Sequence, residues 1–218
     1  MVNVELKFKY SNIAVFRLVE FKNKSYILDP TTIKGKSYFF GSLPKEVTAE
    51  MVELSPSNDS FRIKSKTPIG ASTALVIMIQ PLVGFSHTLM KDAFISWGIN
   101  QQILLKIVLF AFSVFLSYLM AVFYEKSAVG KFESRVPKNS KRCRLVFEPK
   151  GKRIIDWLFF TLGINIICLA FFIGLDSGYE SAILVINGII SWWSFVLLRM
   201  PQIPDYYKTL TLTEIEEL

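Results

Sequence analysis

The sequence predicts a membrane α-helical protein: a four-helix transmembrane bundle of two antiparallel hairpins, carrying a small cytoplasmic β-rich domain. Three observations predict it. Four stretches, 67–90, 107–124, 157–175 and 181–198, hold no charged side chain, and about 20 apolar residues at a rise of 1.5 Å each cross a hydrocarbon core. All but Lys91 and Lys106 of the 25 Lys and Arg fall in three polar segments on one predicted side. Those same segments alternate apolar and polar residues with period two, the signature of half-buried strands.

Composition narrows the class further. At 51% hydrophobic with a mean hydropathy of +0.38, the chain is too apolar for disorder. Two cysteines in 218 residues cannot staple a disulfide scaffold. The alternative to a membrane bundle is a soluble protein with four core helices, which would have to be apolar on every face. The N-terminus MVNVELKFKY is charged and alternating, unlike a cleavable leader.

In chain order, residues 1–66 read as a cytoplasmic β-rich domain. Val4–Tyr10 alternates, and Ala14–Phe21 and Ser25–Leu28 flank a Lys22-Asn23-Lys24 turn before Asp29-Pro30 breaks the strand. Residues 46–54 are expected as a short helix, and Phe61–Lys64 as a strand entering the membrane. Apolar residues in 37–45, between Lys36 and Lys45, are too few to cross and are expected at the interface. The first span is 67–90 and the second 102–124, with Lys106 near its outer end reaching the headgroups. Residues 125–156 form a basic cytoplasmic loop containing a strand, Arg142–Phe147, closed by Pro149 and Gly151. The third span is 157–175 and the fourth 181–199, joined by a short connection that forces antiparallel neighbours. The tail, 200–218, alternates again at Thr209–Thr213. The three polar segments together are expected to make one sheet, since a lone hairpin is marginal in water. The cation bias puts both termini in the cytoplasm of a multi-pass plasma (inner) membrane protein.

The residues carry no recognisable catalytic constellation, and the expectation is a protein that is not an enzyme, with no cofactor and no metal. The single histidine, His87, follows Ser86 directly, and adjacent helical residues point about 100° apart. Gly35-Lys36-Ser37 ends like a phosphate loop but has Pro30 where the first glycine belongs. Cys143 and Cys168 have no second ligand pair. No nucleic-acid-binding module is present, and nucleic acid is not expected as a partner.

The spans do carry ordered polarity. Thr73, Gln80 and His87 share one face of the first span, and Ser113 and Ser117 one face of the second. Thr161 and Asn165 do so in the third, and Asn187, Ser191 and Ser194 in the fourth. These ten residues form a candidate intramembrane polar seam. Its plain role is interhelical glue, worth roughly 0.6–2 kcal/mol per contact; its sharper role is to receive a partner helix or a ligand. In the basic loop, Lys138, Lys141, Arg142, Arg144, Lys150, Lys152 and Arg153 are candidate contacts to anionic headgroups.

The hairpin Val15–Asp29, VFRLVEFKNKSYILD, with the aromatic Ser37-Tyr38-Phe39-Phe40-Gly41 after it, resembles the opening of a family of tandemly encoded Gram-positive membrane proteins. Members are usually described with five spans, and this chain departs from them by lacking a span after the hairpin. The family includes an immunity protein to a membrane-depolarising toxin of the type VII secretion system. The resemblance therefore implies an immunity or antagonist protein that binds a membrane-inserted toxin through its helices. Two other expectations stand beside it: a small channel or transporter subunit, with homo-oligomerisation, and a membrane-tethered accessory subunit that docks a soluble partner.

Overall fold

Alternation in the polar segments becomes a six-stranded antiparallel sheet. The computed structural model describes residues 6–13, 15–21, 24–35, 45–63, 85, 87–137, 139–150, 157–200, 203 and 209–218. The strands are β1 (Lys7–Tyr10), β2 (Arg17–Phe21), β3 (Lys24–Lys34), β4 (Val47–Leu54), β5 (Arg142–Lys150) and β6 (Thr209–Glu217), ordered in the sheet as in the chain. The helices are α1, helical over residues 87–96, α2 (Ile103–Arg135), α3 (Trp157–Gly174) and α4 (Glu180–Arg199), with a 3₁₀ turn at Ile99–Gln101.

This corrects the predicted class: the fold is mixed α and β, built on the six-stranded sheet, and not a four-helix transmembrane bundle. Among the described residues, two helices, α2 and α4, are long and apolar enough to cross a membrane; the apolar part of α3, Phe159–Gly174, is shorter. Residues 67–84 of the first predicted span, and residues 37–44, lie outside the described residues.

The chain divides into two compact units. The first comprises residues 1–63, 123–158 and 196–218 and holds the sheet. Period-two patterning sets its core: Val19, Tyr26, Leu28, Val47, Ala49, Met51, Cys143, Leu145 and Phe147 share one buried face. On the opposite face Leu18, Ile27 and Val52 stand in register across three strands and are buried too. That face becomes polar toward β6, where Arg144 bridges Glu50 at 3.5 Å and Glu216 at 3.3 Å.

Local departures from the sequence reading have identifiable causes. Residues 47–54 are strand rather than helix: every second side chain from Val47 to Met51 is buried, and the ladders to β3 and β5 override helix propensity. β3 does not stop at Asp29-Pro30 but shifts register there. Asp29 Oδ1 accepts from the Thr31 amide (2.9 Å) and hydroxyl (2.7 Å), and Thr32 Oγ1 accepts from Glu50 N (2.9 Å), so side chains satisfy the backbone through the bulge. Phe61 lies in a turn, not a strand, with its ring 6.1 Å from that of Phe132. Phe132 also stacks on Phe16 at 4.9 Å, because α2 continues as helix to Arg135, well into the predicted loop. Arg135 Nη1 then donates to Asn12 Oδ1 (2.8 Å) and Ser60 O (3.1 Å), fastening that helix end.

Candidate functional site

The second unit, residues 64–122 and 159–195, holds the helices that carry the predicted polar residues. Their sequence is apolar nearly all round, and the structure leaves that surface uncovered. Only 17% of the apolar window of α2 and 33% of that of α4 is buried, where a soluble core helix would be mostly buried. Phe112, Ile166 and Ile189 are each more than half exposed. Apolar surface on that scale marks a membrane or an interaction face.

Against this background the polar side chains turn inward. Asn165 is the centre of one contact: its Oδ1 accepts from Asn187 Nδ2 and from Ser191 Oγ, both at 3.2 Å, and its Nδ2 donates to Thr161 O at 2.8 Å. This joins α3 to α4. A second contact joins α2 to α4: Ser117 Oγ donates to Gly188 O (2.9 Å) and Ser113 Oγ to Leu184 O (3.4 Å). Gly188 permits the approach, since a Cβ there would lie 3.3 Å from Ser113 Oγ. Ser194 is buried on the same stripe of α4.

Other predicted site residues fall elsewhere. His87 stacks on Tyr179, ring centroids 5.8 Å apart. Thr73 and Gln80 lie outside the described residues. Of the candidate headgroup contacts, Lys141 and Arg142 are exposed. Arg144 is committed to Glu50 and Glu216. Lys138, Lys152, Arg153 and the side chain of Lys150 lie outside the described residues.

The sequence reading missed a buried charge pair. Lys106, expected at the headgroups, is 1% exposed and stands 3.6 Å from Glu180, which is fully buried. Its ammonium also donates to the carbonyl of Leu175, just past the end of α3. Asn100 Nδ2 donates to the next carbonyl, that of Asp176, at 2.7 Å. Both Glu180 oxygens, Asn100 Oδ1 and Asn187 Oδ1 are buried without a hydrogen-bond donor. The signal was available: Glu180 precedes Asn187, Ser191 and Ser194 by 7, 11 and 14 residues, one stripe of a helix. Among the described residues, the orphaned atoms in this unit are all acceptors, a chemistry suited to holding donors or water.

A groove of about 320 Å³ lies between α2 and α4. Its walls are apolar, with Phe112, Leu116, Met120 and Ile189 among them, and Ser113, Ser117 and Gly188 also line it. Among the described residues, no three His, Cys, Asp or Glu side chains gather as metal ligands.

Comparison with protein-family models, with curated proteins and with solved structures gave no match for this chain.

Proposed function

We propose that this is a non-catalytic integral membrane protein that acts as an immunity or antagonist protein, receiving the inserted helix of a membrane-targeting toxin in the groove between α2 and α4. The observation that carries the proposal is that groove: an apolar cleft lined with small residues, on helices whose apolar faces are uncovered. Small residues let a second backbone approach closely, which is how helices associate where lipid is the solvent. The resemblance of the Val15–Asp29 hairpin supports the same reading.

The topology proposed with it is multi-pass in the plasma membrane with both termini cytoplasmic. Strands from before, between and after the helices share one sheet, so they lie on one side of any membrane. Crossings between β4 and β5, and between β5 and β6, are then even in number, and α2 and α4 each need a returning leg. The Lys and Arg bias makes the sheet side cytoplasmic.

The test is a challenge assay. Cells lacking the protein should be depolarised by a secreted toxin encoded beside it, wild type should protect them, and Ile189→Trp, which fills the groove from an exposed position, should not. Equal sensitivity of deleted and complemented cells to every such toxin sinks the reading. A small channel or transporter subunit is the second reading, favoured by the orphaned acceptors of Glu180 and Asn187; ion flux through reconstituted protein distinguishes it.

A further inference from the structure

The two outer strands of the sheet carry opposite charge. β1 exposes Lys7 and Lys9; β6 exposes Glu214 and Glu217. Lys9 is drawn to Glu20 at 2.6 Å and Glu216 to Arg144 at 3.3 Å, and Glu217, opposite Cys143, lies on the other face, which leaves Lys7 on one edge and Glu214 on the other as the exposed charges of interest. Among the described residues, neither strand has a second hydrogen-bonded neighbour. Each therefore offers a row of unpaired N–H and C=O groups, the feature that templates pairing with another chain. β6 is nine residues long, and a single register shift, opposite Val146 and Phe147, interrupts its pairing with β5.

Strand direction decides which pairing is compatible with a shared orientation. All five pairings in the sheet are antiparallel and the strands follow chain order, so β1 and β6 run in opposite directions. A second copy held the same way up brings its β1 alongside β6 as a further antiparallel strand, and the alternation continues unbroken. Pairing β6 with β6 sets acidic strand on acidic strand, and β1 with β1 sets lysines on lysines, and like charges across strands destabilise.

We propose that copies of this chain associate head to tail, β1 of one copy adding to β6 of the next. The occupant of each edge is a second copy, selected by charge: Lys7 meets Glu214, which lies on the same face of the sheet. The contact is heterologous, so it propagates into rows or rings rather than ending at a dimer. Its short β1 side, four residues, makes it a contact for copies already confined to one surface. It stands independently of the toxin reading, since it involves the sheet and not the groove.

Cysteine cross-linking in native membranes tests it. One tagged full-length chain carries Lys7→Cys and a differently tagged one Glu214→Cys, and wild type with its native Cys143 and Cys168 sets the baseline. The mixed-tag disulfide should exceed either same-tag disulfide by about tenfold, as only β1 against β6 continues the antiparallel alternation between copies held the same way up. Charge reversal gives the second measurement. Lys7→Glu should reduce the assemblies to single copies, and Lys7→Glu with Glu214→Lys in one chain should restore them, which a folding defect would not allow. Predominant Glu214→Cys same-tag dimers, single copies of wild type throughout, or failure of the reversed pair to restore assembly would each overturn the proposal.

Discussion

Replacing Lys106 with methionine isolates what the buried charge pair contributes. Methionine keeps the length and packing of the side chain and removes the ammonium. The substitution takes away the cation 3.6 Å from Glu180, whose carboxylate stays fully buried. At 3.6 Å and an effective dielectric of about 20, the lost attraction is on the order of 4–5 kcal/mol. Breaking one side of a buried pair typically costs about 3–5 kcal/mol, because the survivor is an uncompensated charge. The Leu175 carbonyl loses its donor as well. For a chain of this size, that loss lowers the unfolding midpoint by roughly 10 °C. Lys106→Met with Glu180→Leu should recover most of it, since an apolar pair of similar volume is often neutral or stabilising. The assay is thermal unfolding in detergent micelles, followed by tryptophan fluorescence, on wild type, both single variants and the double. Single variants as stable as wild type would refute the reasoning, and so would a double variant no better than the worse single.

Two further outcomes follow from the sheet unit. Gly35 closes β3 with φ +83°, and a Cβ there would lie 2.2 Å from the backbone oxygen of Glu46. Gly35→Ala combines a left-handed backbone with a clash against main chain, and should destabilise the unit by about 3 kcal/mol or more, read as a shifted denaturant midpoint. Burial pushes the Asp29 carboxyl above its ordinary value of 3.8, and hydrogen bonds from Thr31 only partly oppose this. An acid with a raised native value adds stability that is complete below 3.8 and lost as pH climbs through the raised value. Asp29→Asn keeps the acceptor for the Thr31 amide and has no such titration. Its advantage over wild type should therefore grow from acid to neutral pH and then level off, which midpoints across that range would show.

Period-two alternation made the strands legible, because a half-buried sheet writes its burial directly into the sequence. What it could not convey was the fate of residues with mixed signals. The segment 47–54 contains Glu50, Met51 and Glu53, good helix formers, and only its two ladder neighbours decide that it is a strand. The charges of 125–135 read as loop, yet charge reports which side of a membrane a segment occupies, not whether it is helical; Phe132 and Arg135 show that the helix continues. The polar residues of α3 and α4 were visible at helical spacing, and Asn165, Asn187 and Ser191 do meet. Lys106 was misjudged because its partner is 74 residues away. A lone lysine near the end of an apolar stretch reads as a headgroup contact unless the carboxylate that encloses it is known.

That distance also says how the two kinds of structure depend on each other. β1 to β4 form a meander within residues 7–54 and can pair locally. Their buried face is incomplete, because Val47, Ala49 and Met51 lie against Phe147, Leu145 and Cys143 of β5, and β5 in turn needs β6. Those strands arrive only after α2, and after α3 and α4, have been made. Closing such long loops is entropically costly and slow. The return is that the finished sheet ties together three segments that the helices separate. A strand lost from β5 would therefore release more than a sheet edge. It would leave the C-terminal end of α2 held to the sheet unit by the contacts of Phe132 with Phe16 and of Arg135 with Asn12 and Ser60.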